Sequence, residues 1–313
     1  MPEIADYMSW NIESLSSKKC AKDVFRNVNV AAWIAVLIDE MQANVIGVME
    51  VTLGTGEQAV QVLVQAINDR KKLVGSGSKW KYEVSQRNIE VAHTFARRAD
   101  KYALLWDDAN VSVSNMAVAT STKVIFADRN PLFWNMQART AGKPKELNCL
   151  LWHAPQPKYH KKDATIQLLA DLSEEIEINT GNTAFLISGD FNYNTANAAT
   201  YAPLTSLKFS GIFDGEKTTL TSLKSFVNDI ANRQKMIQQG DVDDAFLASA
   251  YDNIFIRGIT SNWELKVCVP NVVLQEIMDS FTFMIVTRMQ LQLAMKNAKI
   301  ISDHMPIVMT LEE

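Results

Sequence analysis

The hexapeptide Ile187 to Asn192, Ile-Ser-Gly-Asp-Phe-Asn, constrains this chain more than any other stretch. Ala184, Phe185, Leu186 and Ile187 form an apolar run too short for a helix of ordinary length, which predicts a buried strand. Gly189 ends it, because a residue without a side chain lets the backbone turn sharply and come close to whatever lies beyond the strand. Asp190 and Asn192 then place two oxygen-bearing side chains at the mouth of a sheet. Such hard donors suit a magnesium-type cation and a phosphate. A Gly-Asp-x-Asn turn on its own is more often an ordinary strand-to-loop turn, so the weight rests on what accompanies it.

Polar residues recur at the same kind of position along the chain. Met8 to Glu13 reads as a short strand with Asn11 and Trp10 on opposite sides. The buried-strand pattern Val45 to Met49 ends on Glu50, either a solvated edge charge or a ligand aimed into a site. Asp100 precedes the strand Ala103 to Trp106. Leu147 to Trp152 delivers His153, and Pro155 and Pro157 stiffen the exit. A lone histidine at a strand end is more often a structural hydrogen-bonder than a catalyst. Asp252 opens the strand that continues through Ile256, and Asp303 and His304 precede the proline-started strand Ile307 to Leu311, placed as a ligand beside an acid/base. Lys158, His160, Lys161 and Lys162 form either a solvated loop or a phosphate-contacting patch.

Between these strands the apolar spacing is helical. Val24, Val28, Ala31, Ala35 and Ile38 predict a helix over 21–44, closed by Asn44; Val60, Leu63, Val64 and Ile67 predict a second, and Ile166, Leu169 and Ile176 a third. Trp80 to Ser85 and Ser112 to Ala119 alternate as strands. The methionine-rich stretch 272–298 reads as helical core or cover. The segment 215–240, with its Thr218-Thr219 pair, carries no assignable chemistry. Neither Gly54 and Gly56 nor Gly75 and Gly77 has phosphate-loop spacing, which excludes a nucleoside-triphosphate site and a nucleotide cofactor.

Length alone, 313 residues, suggests about two domains. The polar strand ends instead run from Asn11 to His304, so a single site requires one unit spanning residues 1–313 that returns on itself. A composition of 47% hydrophobic and 21% charged residues fits a globular enzyme with a large core. No apolar stretch approaches the ~20 residues that cross a bilayer, so no membrane partner is expected. Met1 to Ser9 lacks a basic segment followed by an apolar one. The three cysteines, Cys20, Cys149 and Cys268, are odd in number and far apart. Together these features point to a cytoplasmic protein with reduced thiols, or one exported without a cleaved signal. A net charge of −4 gives no overall pull towards nucleic acid, though a bound cation and a local basic patch can supply it.

In this order and spacing the chain resembles the endonuclease/exonuclease/phosphatase superfamily, and more closely its deoxyribonuclease I branch. The resemblance rests on Trp10-Asn11-Ile12, Asp100-Lys101-Tyr102, Arg129-Asn130-Pro131, His153-Ala154-Pro155, Ser188 to Asn192, Ala250-Tyr251-Asp252 and Ile301 to Pro306, and spans about Ser9 to Leu311. It implies an α+β fold, a four-layer α/β/β/α sandwich of two mostly antiparallel sheets. It implies Glu50 as main metal ligand with Asn11, Asp190 and Asp303, and Mg²⁺, Mn²⁺ or Ca²⁺ as the metal. Asn192 and Arg129 would contact the scissile phosphate, His153 would pair with Asp100, and His304 with Asp252. The implied substrate is DNA. Inositol phosphates or sphingolipids are the enzymatic alternative, and a catalytically inactive binding module the non-enzymatic one. Asp100 departs from the branch, whose secreted members carry Glu there, one methylene longer; their secretory signal and disulfides are also missing.

Overall fold

Along the strand Phe185–Asp190, Phe185 and Ile187 pack into one apolar cluster and Leu186 into another. Along Glu3–Leu15, Tyr7 faces the cluster that holds Leu186, while Met8, Trp10 and Ile12 face a third. Side chains alternate sides along a strand, so each of these strands is buried on both faces and reads as a near-continuous apolar run. That pattern specifies layers: helices, sheet, sheet, helices.

The structure is a computed structural model that describes residues 3–86, 101–121, 123–126, 129–139, 146–156, 162–266, 269–279 and 287–312. The first sheet has six strands in the order Thr260–Lys266, Ile307–Glu312, Glu3–Leu15, Val45–Val51, Lys101–Asp107, Trp80–Val84. The second has six in the order Ser210–Gly211, Asp252–Arg257, Phe185–Asp190, Glu146–His153, Leu132–Ala138, Val111–Val118. Every pairing is antiparallel except one in the middle of each sheet, Glu3–Leu15 with Val45–Val51 and Glu146–His153 with Phe185–Asp190. A parallel pair needs a crossover. The first pair crosses through the helix Val30–Glu40, the second through Lys162–Thr180. This is the α+β sandwich of two mostly antiparallel sheets expected from the sequence.

Between the sheets lie Tyr7, Tyr102, Trp134, Leu151, Leu186 and Ile254, all fully buried, each such large side chain contributing about 1.5–3 kcal/mol by leaving water. Within this layer Tyr7 Oη meets Ser188 Oγ at 2.7 Å, and burial drives the Tyr7 phenol pKa upward. The helix Gly56–Leu73 buries Val60, Leu63, Val64 and Ile67 as its spacing predicts, and Lys162–Thr180 buries Ile166, Leu169 and Ile176.

Two expected elements differ. The helix predicted over 21–44 spans only Val30–Glu40, started by Asn29, whose side chain accepts from Ala32 N. Val24 and Val28 lie instead on a small hairpin, Asp23–Phe25 with Val28–Asn29, turned by Arg26 and Asn27 at φ 53° and 60°; two successive left-handed residues form the hairpin-type turn that apolar spacing cannot report. Asn44 lies beyond the helix end, where its side chain accepts from Asp6 N. The stretch 272–298 divides into helices Val269–Asp279 and Arg288–Ile301, the second opened by a capping box of Thr287 and Gln290. Both turn apolar residues inward, among them Val273, Ile277, Leu291 and Met295. No described helix is long and apolar enough to cross a membrane.

Candidate active site

Strands of a parallel pair end on the same side, so each central pair delivers two residues to one edge of its sheet. In the second sheet these are His153 and Asp190, directly opposite each other in the register. The antiparallel neighbour starts there, and Asp252 lies opposite Asp190. In the first sheet the pair delivers Asn11 and, one residue past its partner Met49, Glu50. There the neighbouring strand Ile307–Glu312 begins, preceded by Asp303 and His304.

The two rows meet at one carboxylate. Asp190 Oδ2 accepts from Asn11 Nδ2 at 3.1 Å and lies 3.6 Å from His153 Nε2 and 3.5 Å from His304 Nε2. Its other oxygen accepts from Asn192 N at 2.9 Å. Asn11 Nδ2 also donates to Glu50 Oε1 at 3.0 Å, and that oxygen is 3.7 Å from His153 Nε2. Asn11, Asp190 and His153 are buried and Glu50 is partly exposed, so the crevice opens to water on the Glu50 side. Asp303 is the most exposed of the group, 40% at its side chain, with Oδ1 3.8 Å from His304 Nε2.

His304 Nδ1 meets Asp252 Oδ2 at 2.9 Å. Burial works against the charged imidazole, but Asp252, Asp190 and Asp303 outweigh it and hold the His304 pKa well above the ordinary histidine range. Burial raises the Asp252 carboxyl, opposed by His304 and Thr218. Arg129 Nη1 lies 2.8 Å from His153 Nε2. A guanidinium only donates, so Nε2 accepts and the imidazole proton sits on Nδ1. Asp100, the expected partner of His153, lies outside the described residues, as do Lys158, His160 and Lys161; Lys162 begins a helix, its side chain undescribed.

The two expected phosphate contacts are joined through one atom. Asn192 Nδ2 donates to Ala154 O at 2.8 Å, and Arg129 Nη1 reaches the same carbonyl at 3.3 Å. Both residues are left-handed, Asn192 at φ 53° and Arg129 at φ 49°. Glu50 is as well, at φ 59°, where its strand bulges between Val48 and Val51. Such backbone costs on the order of 1–3 kcal/mol and persists where surrounding contacts over-determine it.

Several residues of the site were not legible as chemistry. Thr218 Oγ1 donates to Asp252 Oδ2 at 2.6 Å and accepts from Asp252 N, placing the carboxylate for His304. Tyr102 Oη accepts from His153 N, and Ser302 Oγ donates to Asn11 O while accepting from His304 N. These are hydroxyls within fold-specific reach: Tyr102 and Ser302 belong to segments that carry the resemblance and Thr218 to a threonine pair, but the sequence assigns none of the three a contact.

The donor set fits a hard divalent cation. Asp190, Asp252 and His304 offer ligand atoms within 4.8 Å of one another, Glu50 and Asp190 share one amide, and the buried Asp252 Oδ1 has no hydrogen-bond partner among the described residues. Clustered carboxylates need a positive charge beside them, and oxygen donors favour Mg²⁺-type ions. Asn11, expected as a ligand, presents its amide nitrogen to the two carboxylates while its oxygen accepts from Glu13 N; in this arrangement it clamps the acids together.

No family model and no curated protein matches the sequence. Solved structures do. An endonuclease/exonuclease/phosphatase family protein from Leptotrichia buccalis matches with a TM-score of 0.58 at 15% identity, over 99% of this chain and 100% of that one. The chain has the endonuclease/exonuclease/phosphatase fold. A mannosyl-6-phosphatase from Bacteroides thetaiotaomicron shares it at TM-score 0.58 and 11% identity, over 99% of this chain and 100% of that one. So does D. rerio TDP2, solved with a single-strand DNA product, at TM-score 0.55 and 12% identity over 100% of both chains.

Proposed function

We propose that the chain is a divalent-metal-dependent phosphodiesterase that hydrolyses DNA by in-line attack of water. The observation that carries this reading is the convergence of two imidazoles from different sheets on one carboxylate oxygen, Asp190 Oδ2, at 3.6 and 3.5 Å. Hydrolysis of a phosphodiester needs a positioned water, stabilised charge on the non-bridging oxygens and a proton for the leaving oxygen. Asn192 and Arg129, tied to the Ala154 carbonyl, hold the phosphate. One imidazole takes a proton from water and the other gives one to the leaving oxygen. Asp252, set by Thr218, orients His304. Glu50 and Asp190, clamped together by Asn11, would with Asp303 hold Mg²⁺ or Mn²⁺, which supplies charge neutralisation at the phosphate. The DNA assignment draws on the deoxyribonuclease I-like motifs and on the DNA product bound by D. rerio TDP2.

Plasmid nicking tests the reading. Activity is expected with Mg²⁺ or Mn²⁺, lost with chelator and restored by added metal; undiminished cleavage in excess EDTA overturns it. A parallel assay on sugar, inositol and sphingolipid phosphates identifies a small phosphoester as the substrate if only that arm is active.

A further inference from the structure

Residues Ile12 to Ser14 leave the ladder between the central strands of the first sheet. Asn11 pairs with Met49 and the register resumes at Leu15 opposite Val51, so three residues stand against one. Glu13 and Ser14 are consecutive left-handed residues, φ 42° and 58°, although neither is glycine; side-chain-bearing residues adopt this region only at a cost. The result is a nest of successive N–H groups. Glu13 N donates to Asn11 Oδ1 at 3.0 Å and Ser14 N to Glu50 Oε2 at 3.1 Å. Asn11, which meets Asp190, and Glu50, which lies beside His153, are therefore gripped by adjacent backbone amides.

Turning those amides one way turns carbonyls the other. Ile12 O and Glu13 O both accept from Lys19 Nζ, at 2.6 and 2.5 Å. Lys19 stands on the short helix Ser17–Cys20, and its side chain is 12% exposed, with Glu13 Oε2 at 4.0 Å. A lysine normally keeps its ammonium in water. Here it is drawn in beneath the strand excursion, where its donors serve the carbonyls that the strained backbone displaces.

We propose that Lys19 is a positioning residue of the active site: by holding the Ile12 and Glu13 carbonyls it keeps the Glu13–Ser14 nest closed on Asn11 and Glu50. The inference rests on the reading of Glu50 as a cation-holding residue. It predicts that removing the ammonium loosens cation binding without touching any group that would meet cation or substrate.

The experiment is Mg²⁺ titration calorimetry on the parent, Lys19→Met, Lys19→Arg and the double variant Lys19→Met with Ser14→Gly, joined to amide hydrogen exchange at Glu13 and Ser14 without cation. Lys19→Met is expected to bind Mg²⁺ about 10–100-fold more weakly, the range for partners that orient ligands, and to lose protection at both amides. Lys19→Arg keeps two donors and stays close to the parent. Ser14→Gly, which adopts φ 58° without strain, recovers part of the loss; a lysine that merely stabilised the fold would not be rescued this way. Unchanged affinity and unchanged protection in Lys19→Met overturn the proposal. So does open-loop exchange at Ser14 in the parent, a test that needs no variant. If the parent binds no Mg²⁺, the cation reading fails, and the exchange data alone decide whether Lys19 holds the nest.

Discussion

The two sheets face each other with matching parts, yet they deliver their site residues in different ways. In each, a central parallel pair ends and an antiparallel neighbour begins at the same edge, and facing positions touch: Asn11 with Asp190, Glu50 with His153, His304 with Asp252. The second sheet reaches this edge in unbroken register, from Phe185 opposite Asn148 to Asp190 opposite His153. It does so with a glycine, for Gly189 sits at φ 147° and a Cβ there would lie 1.9 Å from Trp152 O. The first sheet has no glycine next to Asn11 or Glu50. It bulges, and places Glu13, Ser14 and Glu50 in the left-handed region by force of surrounding hydrogen bonds. One demand, to turn polar side chains into a crevice, is met once by composition and once by strain.

The largest expected effects come from removing one imidazole on each side. His153→Ala and His304→Ala should each cost on the order of 10²–10⁴ in turnover with little change in substrate binding. In the proposed reaction both serve one transition state, so the double variant should fall far short of the product of the single losses. Plasmid nicking across a pH series measures all three; parent-level activity in either single variant removes that residue from the chemistry.

Next come the carboxylates that face each other through Asn11. Glu50→Gln is expected to weaken Mg²⁺ binding by more than about tenfold in calorimetry while leaving the fold intact, since Val45 to Met49 carry the packing. Equal affinity in parent and variant would show that Glu50 is not a ligand.

The contrast between glycine and strain is tested directly by exchanging them. Gly189→Ala drives a Cβ into the Trp152 backbone and should destabilise by about 4 kcal/mol or more, the exceptional class of point substitutions. Glu50→Gly relieves a left-handed residue and should cost almost nothing, or stabilise by about 1 kcal/mol, although it removes the proposed ligand. Urea unfolding of the two variants decides it: similar losses at both positions would mean that Glu50 is not strained.

This asymmetry also explains what the sequence could and could not disclose. Gly189, Asp190 and Asn192 are legible because a glycine in an apolar run has few uses. His153 is legible because its strand runs straight into prolines. Glu50 was ambiguous, since a bulge leaves no compositional mark, and the excursion at Ile12 to Ser14 left none either. The layers follow from runs buried on both faces, whereas the hairpin at Arg26 and Asn27 and the break within 272–298 depend on local turns and caps that apolar spacing overruns. Thr218, Tyr102 and Ser302 make their contacts through hydroxyls placed by distant pairing, and the motifs around Tyr102 and Ser302 do not say what those hydroxyls meet.

The smallest expected effect concerns how each crossover helix is fastened. In the second sheet Arg257 joins Glu177 at 2.6 Å and lies over Phe185 and Phe209, 4.9 and 4.6 Å from their ring centres. In the first, Asp39 near the end of Val30–Glu40 meets Arg70 at 3.0 Å and Lys71 at 2.8 Å on Gly56–Leu73. Partial burial pushes the Asp39 carboxyl up, but hydrogen bonds from Lys71 and Arg70 outweigh it and hold the pKa below the ordinary aspartate value of 3.8. A carboxylate lowered on folding contributes stability that is fully present above its unfolded pKa and lost as pH falls through the folded one. Asp39→Asn should therefore cost at most about 1 kcal/mol at pH 7, the scale of a partly exposed ion pair, and the difference should close as pH drops below about 4. Urea midpoints for parent and variant at pH 7 and pH 3 measure it. A gap that persists at pH 3 would assign the loss to packing at the helix end, and the first crossover would then be fastened like the second, by contact rather than by charge.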